Sequence, residues 1–168
     1  MVVLETERLS LREVVRDDAA FMLELLNSPG FLENIGDRGV RDEDQARGYI
    51  DDRVLASYRD HGFGMWLALQ KADGAPVGLA GLVRREGLDV PDVGYAFIQR
   101  VWGQGYAQET AAAVLAHAQG KLGIPKLAAI TTPENFASMA VLRKIGFTFQ
   151  GMIQLPGVDR ESTHFTVG

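Results

Sequence analysis

Two glycines one residue apart, in Trp102–Gly103–Gln104–Gly105–Tyr106–Ala107, stand directly before a long run of small and apolar residues with helical spacing. Glycine has no Cβ, so a phosphate can come close to backbone N–H groups there. The start of the helix leaves those groups unpaired, and its dipole makes them electropositive. The chemistry this spacing suits is anion binding. No Gly-Lys pair is followed by Ser or Thr, and the third glycine of a dinucleotide fingerprint would fall on Gln108, which disfavours a nucleoside triphosphate or NAD. A second pattern is Asn135 just before a helix with Ser138 three residues later; Asn is a preferred N-cap, worth about 1 kcal/mol, and Ser138 falls in the first turn. His61, His117 and His164 lack metal-ligand spacing, and there is no Gly-x-Ser-x-Gly elbow. The absence of cysteine removes disulfides, thiolate metal sites and an acyl-cysteine intermediate together, so no metal is expected.

The elements that carry these residues follow from hydrophobic spacing. Leu9 and Leu11 alternate with polar neighbours between Arg8 and Arg12, as in a half-buried strand. Asp17–Asp18 open a helix through Phe21, Leu25 and Leu26, which Ser28–Pro29–Gly30 ends. Ala46, Tyr49, Ile50, Val54 and Leu55 mark a second helix from about Asp42 to Arg59. From Gly64 the period becomes two: Met65 to Leu69, a turn at Asp73–Gly74, Val77 to Val83, then Asp92 to Ile98. Ala107, Ala111, Val114, Leu115 and Ala118 share one face of a long helix that Gly123 stops, with Pro125 beyond. Leu127 to Thr131 reads as a strand, Asn135 to Ile145 as a capped helix closed by Gly146, and Phe147 to Val167 as two strands around Pro156–Gly157.

Composition narrows the class. A chain of 168 residues, 46% hydrophobic and 23% charged, fits one globular domain, and no repeat or linker divides it. The net charge of −5 works against non-specific nucleic-acid binding. No apolar stretch reaches membrane-spanning length, and MVVLETERLSLR has no signal-peptide core, so neither membrane nor export is expected. The lack of cysteine accords with a reducing compartment, and the expected location is cytoplasmic.

The run GYAFIQRVWGQGYAQE resembles the acetyl-CoA-binding segment of the GNAT superfamily of N-acetyltransferases, where an Arg/Gln-x-x-Gly-x-Gly/Ala pattern wraps the pyrophosphate. Two registers are open: Arg100–Gly103–Gly105 matches literally, and Trp102–Gly105–Ala107 matches the WGxGYAxE variant of the RimJ/RimL-like branch of ribosomal-protein N-terminal acetyltransferases. The second is preferred. The resemblance extends over ETERLSLR, FGMWLALQKADGAPVGLAGL and NFASMAVLRKIGF, and so over nearly the whole chain.

The resemblance implies one α/β (α+β) GNAT domain over residues 1–168: a strongly curved mixed sheet of about seven strands and about four helices, splayed between the fourth strand, Asp92 to Ile98, and the fifth, Leu127 to Thr131. Pantetheine would lie in that split, pairing with open main-chain groups of Phe97, Ile98 and Gln99, while Trp102, Gly103, Gln104, Gly105, Tyr106 and Ala107 surround the pyrophosphate. Asn135 would contact pantetheine, and Ser138 would lie near the thioester sulfur. The implied reaction is direct transfer in a ternary complex: an amine attacks the thioester and a backbone N–H near Phe97 stabilises the oxyanion. Many superfamily members place a tyrosine acid where this chain has Leu142, which leaves Ser138 as the candidate acid. Asp92, on one strand face with Gly94 and Ala96, is the candidate base through water; Glu134 is a second, and Glu109 complements the helix dipole. The implied partners are acetyl-CoA and an amine acceptor, either a protein or peptide α-amine or a small molecule. The acceptor would enter around Phe31 to Arg41, with Trp66 and Tyr95 as aromatic walls, in a monomer or homodimer. The alternatives are a non-catalytic acetyl-CoA-binding sensor or scaffold, and an interaction domain without cofactor, against which the glycine turn, Asn135 and Ser138 argue.

Overall fold

The computed structural model describes residues 2–168. Strand β1 (Val2–Glu5) and strand β2 (Leu9–Arg12) form an antiparallel hairpin in which alternation buries Leu9 and Leu11 completely. Asp18, in a short 3₁₀ turn, takes both Arg12 guanidinium nitrogens at 2.9 Å and the Val15 N–H at 2.8 Å. Helix α1 (Ala19–Leu26) then buries Met22, Leu25 and Leu26. Ser28–Pro29–Gly30 does more than end α1: Pro29 begins helix α2 (Pro29–Asn34), where its missing N–H is one that a helix start leaves unpaired anyway.

Asp42 caps helix α3 (Glu43–Tyr49) by accepting from the Gln45 N–H at 2.8 Å. A π-helical turn, Ile50–Leu55, joins it to helix α4 (Ala56–His61), which ends at Gly62 in the left-handed region. The expected helix from Asp42 to Arg59 is thus continuous but widened at its centre, with Ile50 and Val54 turned into the core.

Strands β3 (Met65–Gln70), β4 (Pro76–Val83) and β5 (Asp92–Phe97) form the expected meander. Helix α5 (Tyr106–Gly120), strand β6 (Leu127–Thr131), helix α6 (Phe136–Lys144), strand β7 (Thr148–Ile153) and strand β8 (Ser162–Val167) follow. The order is β1-β2-β3-β4-β5-β6-β8-β7. The sheet has eight strands rather than about seven, because the apolar start Val2–Val3–Leu4 pairs with β2.

Strands β4 and β5 pair from Val83↔Asp92 to Gly78↔Phe97, and β6 and β8 from Leu127↔Val167 to Thr131↔Thr163. Between β5 and β6 the register consists of Asp92↔Ala128. Each strand is tied along its outer edge, so the right-handed twist of each half carries the two strands apart beyond that pair. The main core lies between the sheet and the helices and takes in Leu127, Ala129 and Phe165 of the second half. Trp66, expected as an acceptor wall, is 2% exposed and packs edge-on against His117 of α5 with centroids 5.6 Å apart. It is a core residue. A smaller cluster of Leu88, Ala128 and Leu155 lies at the second half. Among the described residues no helix is long and apolar enough to cross a membrane.

Strands β3 and β4 come close where Gly81 faces Gly64: a Cβ on Gly81 would run into the Gly64 carbonyl, whereas one on Gly120, late in α5, meets nothing within 4 Å. In urea unfolding, Gly81→Ala should lower stability by about 1–3 kcal/mol. Gly120→Ala should raise it by about 0.5 kcal/mol.

Candidate active site

The split exposes one edge of β5. Ile98 donates its N–H to Val77 O at 3.0 Å, so the alternation of an antiparallel ladder turns the main-chain groups of Tyr95 and Phe97 the other way, toward β6. The Phe97 carbonyl accepts from the Trp102 indole N–H at 2.7 Å. The Ile98 carbonyl accepts from Val101 N at 3.2 Å, and the Gln99 carbonyl from Trp102 N at 3.0 Å. Of the groups expected to be open, Ile98 is therefore engaged at both ends, and Phe97 keeps only its N–H on the free edge. That edge begins earlier, at Tyr95.

Beyond Ile98 a 3₁₀ turn, Gln99–Val101, leads through Trp102 and the exposed Gln104 to α5. Gly103 and Gly105 have φ of 81° and 85°, a region costly for any residue with a Cβ. Glu109 N–H to Gly105 O, at 3.0 Å, is the first bond of α5, so the amides from Gly105 to Gln108 have no acceptor within the helix. Nothing lies within 4 Å of the Cβ position of Gly103, and at Gly105 the nearest atom is an Arg8 guanidinium nitrogen at 3.4 Å. Residues 102–105 are exposed, and Ala107 beside them is half-buried.

One cation stands at this helix start that the sequence reading did not assign. The Arg8 guanidinium lies 4.5 Å from the Tyr106 ring centroid and bonds Glu109 at 2.7 Å. Glu109 also accepts from Thr6 Oγ1 at 2.6 Å and from Arg8 N at 2.9 Å. Burial pushes its pKa up, but the hydrogen bonds from Thr6 and Arg8 outweigh that and hold it below the ordinary value. Glu109 thus fastens the β1–β2 turn to α5 besides complementing the dipole. The Tyr106 hydroxyl accepts from Gln70 Nε2 at 3.0 Å. A cavity of about 310 Å³ between Arg8, Lys71 and Tyr106 adjoins this start.

Across the split, Asn135 caps α6, its Oδ1 accepting from Ser138 N at 3.2 Å. The Ser138 hydroxyl lies 2.6 Å from the Tyr95 hydroxyl, so β5 and α6 are joined by two side chains where the sheet is open. Leu142 is 1% exposed, a packing residue on the inner face of α6. Asp92 is 1% exposed, with its two oxygens 3.2 and 3.3 Å from Arg85 nitrogens. Burial pushes its pKa up against the opposing effect of Arg85. Glu134 is exposed and pairs with Arg160 at 2.6 Å. Among the described residues no group of His, Asp or Glu is placed to hold a metal ion.

A free strand edge leading to unpaired helix amides beside left-handed glycines suits a ligand that has amides at one end and phosphates at the other, as coenzyme A does. Residues 8–148 match the acetyltransferase (GNAT) domain family. The chain is 33% identical over 154 residues to the uncharacterized protein YkkB of Bacillus subtilis, covering 90% of this chain and 88% of that one. The fold matches an acetyltransferase from Agrobacterium tumefaciens with TM-score 0.82 and 25% identity, over 98% of this chain and 93% of that one. It also matches RimL, a ribosomal L7/L12 alpha-N-protein acetyltransferase in complex with coenzyme A, with TM-score 0.83 and 19% identity, over 99% and 97% of the two chains.

The depressed pKa of Glu109 has a consequence for acid stability. Its contribution is present above the ordinary value near 4.5 and is lost as pH falls through the lowered folded value. Glu109→Gln should therefore flatten the acid limb of stability against pH in chemical denaturation.

Proposed function

The chain belongs to the GNAT acetyltransferase family, and from that premise we propose that residues 1–168 act as one domain that acetylates a primary amine directly, in a ternary complex with acetyl-CoA. The observation that carries this reading is the split beyond Asp92↔Ala128, whose free edge leads from Tyr95 and Phe97 to the amides at the start of α5. Acetyl-CoA supplies the acetyl group as a thioester. Gly103, Gly105 and the first amides of α5 hold its diphosphate, with Trp102, Gln104, Tyr106 and Ala107 forming that wall. The outward main chain of Tyr95, together with Asn135, orients the pantetheine arm.

The Phe97 N–H is the donor for the developing oxyanion, a role in which one fixed donor is worth about 10²–10³ in rate. Ser138 donates to the sulfur as the carbon–sulfur bond breaks. Asp92 is the proton sink reached through water: its raised pKa lets it take a proton at a pH where an exposed carboxylate would not. With no cysteine in the chain, transfer needs no acyl-thiol intermediate. The acceptor is an α-amine of a protein or peptide, the class named for RimL, or a small amine, entering from the side of α2 and the segment that follows it.

Incubation with acetyl-CoA and a panel of N-terminal peptides, polyamines and aminoglycosides, with free thiol as the readout, should show acceptor-dependent release. Bound acetyl-CoA without release from any amine would count against turnover. With an active acceptor, Ser138→Ala should lower kcat about 10²-fold and leave acetyl-CoA binding within about threefold. Gly105→Val should weaken acetyl-CoA binding at least about tenfold. Gly39→Val is its control, because Gly39 also has positive φ, at 72°, with open space around it. Equal binding losses in the two would trace the effect to backbone strain instead of the phosphate cradle.

A further inference from the structure

We propose that Tyr95 is a positioning residue for acetyl transfer, holding Ser138 so that the serine hydroxyl hydrogen is free to meet the departing sulfur. This rests on the reading of Ser138 as the donor to that sulfur. Tyr95 reaches from β5 to α6, with its hydroxyl 2.6 Å from Ser138 Oγ and 3.4 Å from the Ser138 carbonyl.

Which hydroxyl donates follows from acidity. A phenol is a better donor than an aliphatic alcohol, and Ser138 Oγ at 2.6 Å lies closer to it than the Ser138 carbonyl at 3.4 Å. The phenol therefore donates to Oγ. Ser138 then acts as an acceptor toward Tyr95, and its own hydrogen must point elsewhere. Its backbone N–H is already held by Asn135 Oδ1 at 3.2 Å, so the remaining freedom is the Cβ–Oγ arm, which the phenol fixes. A donated hydrogen bond also polarises Oγ and strengthens its outgoing bond, since chains of hydrogen bonds reinforce one another.

The phenol stays protonated throughout this work. Burial pushes its pKa up, opposed by the bond to Ser138, which favours the protonated phenol as a donor. As the carbon–sulfur bond breaks, its electron pair stays on sulfur and the Ser138 hydrogen bond stabilises the charge. The amine proton leaves separately, to water. No proton passes through Tyr95.

This arrangement supplies what Leu142 cannot. The inner face of α6 is apolar, with Leu142 at 1% exposure and Met139 at 7%, so a hydroxyl for the sulfur has to be set up from the opposite strand.

The test reads the thiol itself. Coenzyme A is bound to the wild type and to Tyr95→Phe, Ser138→Ala and the double variant, and its thiolate absorbance is titrated with pH. In the wild type the bound thiol should ionise at lower pH than free coenzyme A. Tyr95→Phe should raise that midpoint by about half a pH unit, in the direction of Ser138→Ala, with the double variant no higher than Ser138→Ala alone. A Tyr95→Phe midpoint equal to the wild type, with Ser138→Ala shifted, overturns the proposal. Additive shifts in the double variant overturn it as well, because the two residues would then act independently. Coenzyme A that fails to bind the wild type brings down the acetyltransferase reading itself. Should Tyr95→Phe fail to fold, 3-fluorotyrosine placed at position 95 alone keeps the contact and makes the phenol a stronger acid. It should lower the bound thiol's midpoint further, and an unchanged value overturns the proposal.

Discussion

Asp92 and Ala128 make the register pair between β5 and β6, through the Ala128 N–H to Pro91 O at 3.0 Å, and the proposed chemistry lies beyond the point where that pairing stops. Two parallel strands would ordinarily continue side by side. Here each is already bound on its far edge by a full antiparallel ladder, so closing the gap would require one half-sheet to untwist. The result is a strand edge that has hydrogen-bonding capacity and room. Water can satisfy it in the free protein, so the edge does not carry the roughly 1–3 kcal/mol penalty of a buried unpaired group. A ligand with amides in its chain replaces that water at little cost, whatever side chains line the strand.

The two halves meet at a junction that is buried and charged. Asp92 is buried at the apex of the split and pairs with the half-exposed Arg85, while Ala128 belongs to the small cluster with Leu88 and Leu155. Removing one partner of such a pair leaves a buried charge without compensation, a loss that usually exceeds what the pair contributes. The same enclosure raises the proton affinity of Asp92. The backbone of Asp92 thus marks where the halves join, while its carboxylate, tied to Arg85 within the first half, serves the reaction, on the reading above, as a sink for a proton arriving through water.

Much of this was legible locally. The strand from Leu127 to Thr131 is legible to the residue, and β3, β4, β5, α5 and α6 to within a few, because alternation, helical spacing, Asn135 and Gly123 are local signals. The additional strand β1 was missed, since four residues with one charged end carry too little periodicity to announce a strand. Helix α2 was missed because Pro29–Gly30 signals a stop and, through proline at the first helical position, equally a start. The side-chain contacts were the least legible. Arg8 meets Glu109 across 101 residues and Tyr95 meets Ser138 across 43, and no spacing rule reaches that far. Local sequence marked the glycines and the cap; only the fold shows that Phe97's carbonyl is taken by Trp102.

That last contact ties the two sides of the site together. Trp102 is 49% exposed, yet it is held by its indole bond to Phe97 and by its ring against Gly30 of α2, where any Cβ would collide with it. Arg100, two residues earlier, reaches Glu24 of α1 at 3.1 Å. The loop that leads to the free amides of α5 is therefore buttressed by the helices that border the proposed acceptor entrance. If an acceptor shifts α2, the displacement reaches Trp102 first, then the Phe97 carbonyl, and with it the orientation of the peptide whose neighbouring N–H faces the split. Packed contacts of this kind transmit a shift because the interior has little compressible space. On the reading proposed above, acceptor binding and oxyanion stabilisation then belong to one mechanical unit, which suits a reaction that needs both substrates in place before the acetyl group moves.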